Sequence, residues 1–262
     1  LEDSVGEEEK LKTVAFVAAS NESAILRRRA PELAVEVAQK LGQQGRRVLL
    51  LMDSVTRYAH ALREIGISRN EPPVARGYPP SVFAELPKLM ERTGPAATGN
   101  GSVTAIVTVL VDGDDHNDPT SDAMRGILDG HLVLDRAIAA QGRYPPVDPV
   151  GSISRMADRA WNADERKLVL ELRKLISQFE ETRDLRMLGG WRPGNDPQLD
   201  KAIRVVPPLY DALCQLPDGE VSTSAFDDLI PILKEHLKHE NSQQEKVAQQ
   251  AQTGAVAAKS DI

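Results

Sequence analysis

The stretch Arg46–Asp53 (RRVLLLMD) decides how this chain folds. Val48, Leu49, Leu50, Leu51 and Met52 follow one another with no polar interruption. A strand that is apolar on both faces belongs in a parallel sheet covered on both sides. The run ends in a carboxylate, Asp53. An acid at the carboxyl end of a central strand lies where open α/β sheets bind ligands, and there it can hold a magnesium-bound water beside nucleotide phosphates. An aspartate that caps the next helix fits the same pattern, so the strand alone leaves both readings open.

The flanks extend the α/β pattern. Upstream, Thr13–Ala19 (TVAFVAA) is β-branched and apolar and predicts a strand. Pro31 is placed to open a helix whose apolar positions Leu33, Val37 and Leu41 keep helical spacing, with Gly42 and Gly45 to end it. Downstream, Ser54 predicts the cap of a helix running to Gly66. A proline-rich loop, Glu71–Pro80, leads to a helix from Ser81 to about Thr93. Ser102–Val111 (SVTAIVTVLV) reads as a third strand and His131–Leu134 as a fourth. Strand and helix in alternation imply right-handed crossovers and a parallel sheet. Beyond Arg159 the pattern becomes helical. Leu168, Leu172, Leu175, Ile176 and Phe179 mark one face of a long helix that Gly189-Gly190 stops. Asp196-Pro197 has the form of a cap followed by a proline in the first helical position, and a further helix is expected from near Ser222 toward Leu237. From His239 the chain is polar and has little to bury. The predicted architecture is α/β, a partial RecA-like parallel sheet with flanking helices at 1–160, then an all-α domain at 161–238 and a disordered tail at 239–262.

Composition narrows the function. The 262 residues are 41% hydrophobic and 27% charged, ordinary for a water-soluble globular chain. No apolar run approaches the roughly 18 residues of a membrane span, and nothing resembles a cleavable signal. A single cysteine, Cys214, excludes an intrachain disulfide and fits a reducing compartment; within YDALCQL it reads as helix packing. The net charge of −7 and pI near 5.4 argue against broad nucleic-acid binding. Arg27-Arg28-Arg29 is too short a basic run to change that, and reads as a solvated approach to a helix. The five histidines show no ligand spacing with cysteines or acids. Asp112–Asp118 (DGDDHND) lacks the glutamate that a calcium loop carries at its twelfth position, and reads as a solvated acidic loop.

A second part of nucleotide chemistry has no counterpart here. No G-x-x-x-x-G-K-S/T segment occurs. Gly254–Ser260 (GAVAAKS) is one residue too short, has Ala258 in place of the second glycine, and lies in the polar tail. The chain starts at Leu1 in an acidic stretch (Glu2, Asp3, Glu7, Glu8, Glu9) and reads as the back end of a nucleotide-hydrolysing protein. Two further residues have the chemistry of such a site. Arg155 in GSISRMAD follows small residues that let the backbone pack closely, and an arginine at a subunit edge can neutralise charge developing on a neighbour's phosphoryl group. A surface salt bridge accounts for it equally simply. Tyr144 in YPPVDP offers a flat face to an aromatic base, with prolines fixing its loop, or it is a packing residue.

Four segments taken together resemble one family: LLLMDSVTRYAHALREIG (Leu49–Gly66), RGYPPSVFAELPKLMERTG (Arg76–Gly94), YPPVDPVGSISRMAD (Tyr144–Asp158) and GNDPQLDKAI (Gly194–Ile203). They are similar to the flagellar and type III secretion export ATPases, relatives of the α and β subunits of rotary ATP synthases. The resemblance implies a cytoplasmic homohexamer at the base of a membrane secretion apparatus, hydrolysing ATP with Mg²⁺. Its implied partners are stalk and regulatory proteins, export substrates and their chaperones; it contacts the membrane only through them and binds no nucleic acid. By the same resemblance Asp53 falls on the Walker B aspartate and Arg155 on the arginine given to a neighbouring subunit. Tyr144 falls on the tyrosine beside the adenine ring, and Asp112–Asp118 on the loop facing the central channel. The phosphate-loop lysine and threonine and the glutamate that activates water would lie upstream of Leu1, so this chain alone is expected to be inactive. The alternatives are a Rho-like RNA translocase, against which the acidic pI counts, and a non-catalytic assembly or stalk-binding piece.

Overall fold

Arg47–Met52 does form a strand, β1, and it pairs in parallel with a second strand at Ser102–Val107. The computed structural model describes residues 6–96, 101–111, 113, 115, 118–216, 219, 224–231 and 233. The chain divides into two compact units, 1–128 and 129–262.

In the first unit, a single turn, α1 (Glu7–Lys10), precedes the long helix α2 (Ala24–Gln43), then β1 and α3 (Val55–Ser68). After α4 (Pro80–Met90) come a two-residue strand β2 (Gly94–Pro95), β3 (Ser102–Val107) and α5 (Pro119–Ile127). The sheet order is β1-β3-β2, with Arg47 opposite Ser102 and Met52 opposite Val107. Helices α2 to α5 cover one face. Leu50 and Met52 of β1 and Val103 of β3 meet Val35, Val55, Leu62, Val82, Leu86 and Met124 there. The C-terminal turn of α2 comes so close to the start of β3 that a Cβ at Gly101 would sit 1.9 Å from the carbonyl oxygen of Gly42. Gly45, at φ +84°, turns the chain from α2 into β1, a conformation a side chain disfavours.

Four expectations need correction in this unit. Thr13–Ala19 joins no ladder among the described residues, and Val14 and Val17 are exposed. β-propensity reports fit to a pleated neighbour, and without one the same residues stay irregular. β1 is not covered on both faces: Leu49 and Leu51 are 60% and 67% exposed, and Ile106 of β3 is 58% exposed beside them. The helices supplied by this unit lie against one side only. Pro31 does not open its helix but sits inside α2, which starts at the Ser23 cap. Ion pairs Arg28–Glu32 and Arg29–Glu36 and the burial of Val35 and Ala38 hold the helix on both sides of the missing donor. Arg27-Arg28-Arg29 therefore belongs to the helix itself. β3 ends at Val107, four residues before the expected Val111; Thr108 still donates its N–H to Met52 of β1, but its carbonyl accepts from Val55 at the start of α3.

The second unit begins with β4 (Gly130–Leu134) and α6 (Arg136–Ala140), followed by β5 (Val147–Ser154) and α7 (Ala157–Ala160). Here the fourth strand departs from expectation: β4 pairs antiparallel with β5 in a sheet of its own. The twelve residues between them hold only the five-residue α6, about 7.5 Å of helix, too short to carry the chain back along a strand for a parallel pairing. The long helix α8 (Ala163–Glu181) starts on a capping box, Asn162 with Glu165. α8 ends at Glu181, so the single helix expected up to Gly189-Gly190 is broken at Thr182; a separate α9 (Arg183–Met187) follows, and Gly189, at φ +73°, lies just beyond it. α10 (Pro197–Leu213) opens with Asp196 accepting from Gln198 and Leu199 N–H, as the Asp-Pro pair predicts. Leu172, Leu175 and Ile176 of α8 pack against Ala202, Val205, Val206 and Leu209 of α10. Residues 225–231 are helical and add Leu229 to that core; Ser222 and residues 234–262, with the Gly254–Ser260 segment, lie outside the described residues. Cys214 is exposed at the C-cap of α10 rather than packed, because the helix ends one residue before it.

Candidate active site

At the end of β1 the chain leaves the sheet through Asp53 and Ser54. The Ser54 hydroxyl accepts from the Arg57 N–H at 3.3 Å and is the cap of α3. Asp53 is thereby released from capping duty. Its Oδ1 instead accepts from the Thr108 hydroxyl at 2.8 Å. Thr108 is itself fixed from both sides, its N–H donating to Met52 O and its carbonyl accepting from Val55 N–H, each at 3.0 Å. The parallel ladder thus continues one step past β3 to aim the carboxylate.

Asp53 lines a cleft of about 430 Å³ with Phe16, Ser20, Arg27, Thr56, Arg57 and His60, a size suited to a small-molecule ligand. Arg27 donates to Glu64 at 2.5 Å and to the carbonyl of Glu22 at 3.0 Å, which holds its charge at the wall. The Tyr58 phenol, also in the wall, is pushed well above its ordinary range by burial, with the Glu32 carboxylate adding to the shift. The donor set tests the fit to magnesium. A carboxylate among hydroxyls suits a hard cation. Among the described residues, however, no three His, Cys, Asp or Glu side chains come close enough to hold a metal alone. The residues fit an ion reached through water and shared with phosphate oxygens.

Tyr144 and Arg155 lie in the second unit, at opposite ends of β5. β5 pairs Val147 with Leu134 and Ser154 with Gly130 and bulges between them, so its length is that of the five-residue β4, about 13 Å. Tyr144 is 55% exposed, which sets aside the reading of a buried packing residue. Its backbone is nonetheless fixed: the Tyr144 carbonyl accepts from Gln215 N–H at 2.9 Å, and Asp135 N–H donates to Pro146 O at 2.9 Å. Arg155 is exposed immediately beyond β5, its N–H bonded to Asp129 O at 2.7 Å. The strand behind it is tied to α8 by Arg173, whose guanidinium donates to Val150 O at 2.6 Å.

Of the acidic loop, Asp112, Asp114, His116 and Asn117 lie outside the described residues. Asp115 is ion-paired with Arg76, and Asp118 caps α5 by accepting from Thr120 and Ser121 N–H. Two residues that hold the candidate site in place were not read from the sequence. Thr108 left no signal in a run of β-branched residues, and Arg143 left only its position beside Tyr144.

Comparison with known proteins follows the two-part division of the motifs. The model of the ATP synthase alpha/beta family, nucleotide-binding domain, matches residues 1–154, and that of the T3SS EscN ATPase C-terminal domain matches residues 161–231. A flagellum-specific ATP synthase of Agrobacterium fabrum is 56% identical over 234 residues, covering 89% of this chain and 49% of that protein. The chain spans about half the length of the curated relatives it matches (49% and 50% for the first two). Among solved structures, the assembled ATPase EscN of the enteropathogenic E. coli type III secretion system is similar at TM-score 0.78 and 39% identity, over 83% of this chain and 52% of that one. EscN in complex with its central stalk EscO matches at TM-score 0.73 and 38% identity, over 84% and 51% of the two chains.

Proposed function

This chain belongs to the ATP synthase alpha/beta family, and from that premise we propose that the whole protein hydrolyses ATP with Mg²⁺ at the subunit interfaces of a homohexamer and so energises protein export through a flagellar or type III secretion apparatus. The observation that carries the reading is the Asp53 carboxylate, aimed by Thr108 from the carboxyl end of a parallel strand into a cleft. The relatives' names and the EscN assembly with its stalk supply the export context and the expectation of a ring with a central partner. On this reading residues 1–160 are the later part of a RecA-like domain and 161–238 the helical domain, in a cytoplasmic protein that meets chaperones and export substrates at the base of the apparatus.

Asp53 positions a metal-bound water, its own geometry set by the Thr108 hydroxyl. Magnesium bound with the nucleotide neutralises charge on the β- and γ-phosphates. Tyr144 offers its exposed ring to the base. Arg155, beyond the end of β5 opposite to Tyr144, approaches the phosphates of a neighbouring subunit. A finger supplied in trans is worth about 10³–10⁵ in rate.

The test mixes subunits of the whole protein carrying Arg155→Ala with subunits carrying Asp53→Asn. Each variant alone is expected to bind nucleotide and turn over poorly. In mixed rings some interfaces pair an intact Asp53 with an intact Arg155 from next door, and activity returns. Mixed rings of verified composition that stay inactive would sink the trans assignment.

A further inference from the structure

The loop carrying Tyr144 is not held by its prolines alone. Its neighbour Arg143 lays its guanidinium carbon 3.7 Å above the centre of the Tyr210 ring on α10. The Arg143 Nε is buried with no hydrogen-bond partner, and the guanidinium also bonds the Tyr210 hydroxyl, so ring face and hydroxyl together receive the group. Tyr210 is in turn fixed from α8: its hydroxyl donates to Glu180 Oε1 at 2.6 Å, and its ring meets Phe179 edge-on at 6.3 Å. One residue past Arg143, the Tyr144 carbonyl is bonded to Gln215 N–H just after α10. Ile138, Pro145, Val147, Leu213 and Cys214 border this contact, with Leu213 and Cys214 exposed on their outer side. A peptide clamped on either side of an exposed aromatic ring gives that ring a fixed direction before any ligand arrives. That is the arrangement a stacking platform needs, because ordering the loop on binding would otherwise cost affinity.

We propose that Arg143, stacked on the Glu180-bonded Tyr210, is a positioning residue that sets the Tyr144 ring for the nucleotide base and ties base binding to the α8–α10 helix pair. The inference rests on the reading of Tyr144 as the base-facing residue. It predicts a role for the helical unit in nucleotide affinity rather than in the chemical step. Loss of an interaction made equally in ground and transition states raises KM and spares kcat.

The experiment measures ATP hydrolysis by the whole protein, with inorganic tripolyphosphate as a competitor that has phosphates and no base. Arg143→Ala is expected to raise KM for ATP about tenfold while kcat falls no more than about twofold, and to leave inhibition by tripolyphosphate unchanged. Arg143→Lys keeps a cation over the ring and loses the planar fork, so about a threefold rise is expected. Tyr210→Phe keeps the ring under Arg143 and removes the hydroxyl with its bonds to Glu180 and Arg143; it gives a rise of about two- to threefold, and carries the test if Arg143→Ala does not fold. Tyr144→Ala should raise KM at least as much, and adding Arg143→Ala to it should do nothing further. A raised KM in Tyr144→Ala with unchanged KM in all the Arg143 and Tyr210 variants overturns the anchor alone. An unchanged KM in Tyr144→Ala overturns the base-facing reading and the anchor with it. Tripolyphosphate inhibition that weakens in step with ATP affinity reduces Arg143 to a general structural role.

Discussion

The two units solve the same burial problem in different ways. In the second, α8 and α10 turn their apolar faces to each other, and Leu175, Ile176, Val205 and Val206 are buried by this pair within the unit. In the first, the helices close only one side of the sheet, and Leu49, Leu51 and Ile106 are left in contact with solvent on the other. A helix pair satisfies its backbone within each helix and needs one partner face, whereas a parallel strand needs neighbours beside it and layers above and below. The chemistry is divided the same way. Asp53 sits at the end of the half-covered sheet, and Tyr144 and Arg155 flank β5, which is tied to α8.

That contrast is open to direct challenge. The largest effect is expected where the sheet's chemistry is removed. Asp53→Asn in the whole protein keeps the shape and the Thr108 contact but removes the charge, and should lower kcat about 10²–10³-fold with nucleotide binding retained. A variant that keeps more than about a tenth of the rate would move the essential acid elsewhere.

Next comes the independence of the two cores. Both tryptophans, Trp161 and Trp191, lie in the second unit, the first edge-on to Phe226 and the second bonded to Asp200, so their fluorescence reports that unit alone. Leu86→Ala and Leu209→Ala each empty a buried site and should cost roughly 3 kcal/mol. Leu209→Ala should lower the denaturant midpoint seen by tryptophan fluorescence. Leu86→Ala should lower the transition seen by circular dichroism and leave the fluorescence midpoint in place. Equal shifts by both probes would make the two units one cooperative body.

Leu51→Lys tests the open face more gently. With its side chain already in water, the change should alter stability by no more than about 0.5 kcal/mol, and it should reduce self-association of this chain in sedimentation experiments. A large loss of stability would mean that the face is covered. The smallest effect concerns the helix pair. The Lys201 ammonium, bonded to Glu171 at 2.9 Å between α10 and α8, holds that carboxyl below its ordinary range. A carboxylate with a lowered folded pKa contributes above its unfolded value, and the contribution fades as pH falls through the folded one. For a largely exposed pair it is worth about 0.5 kcal/mol at most. Glu171→Gln should therefore destabilise slightly at neutral pH and not at all in acid. A deficit that persists at low pH would point to packing instead.

What the sequence made legible follows the reach of each signal. The α8 and α10 helices, the Asp196 cap and the Ser54 cap depend on residues a few positions apart, and each was readable locally; the Asn162 cap of α8 was equally local and was not read. Asp53 was readable because a carboxylate ending an apolar strand is a short pattern. The antiparallel pairing of β4 with β5 was not, since alternation of strand and helix suggests a crossover and only the shortness of α6 itself, a little over one turn, forbids one. Pro31 misled because its usual place in the first turn outweighed a cap and ion pairs spread over the preceding eight residues and the following five. Thr108 and Arg143 were invisible for a related reason. Each acts on a residue, Asp53 or Tyr210, that is distant in sequence, and nothing in the spacing of either records that contact.

The little strand β2 gives the three-stranded sheet a direction. Its two residues, Gly94 and Pro95, occupy the outer side of β3, and the nitrogen of Pro95 has no hydrogen to offer a further strand. That border is a terminus. The opposite border is β1, six residues of unbranched ladder with donors and acceptors still in register for another chain. The sheet therefore has one free valence, and it lies beside the strand that delivers Asp53. Any strand added there, whatever its source, must run along the wall of the cleft that Asp53 lines, so growth of the sheet and reshaping of that cleft are a single event.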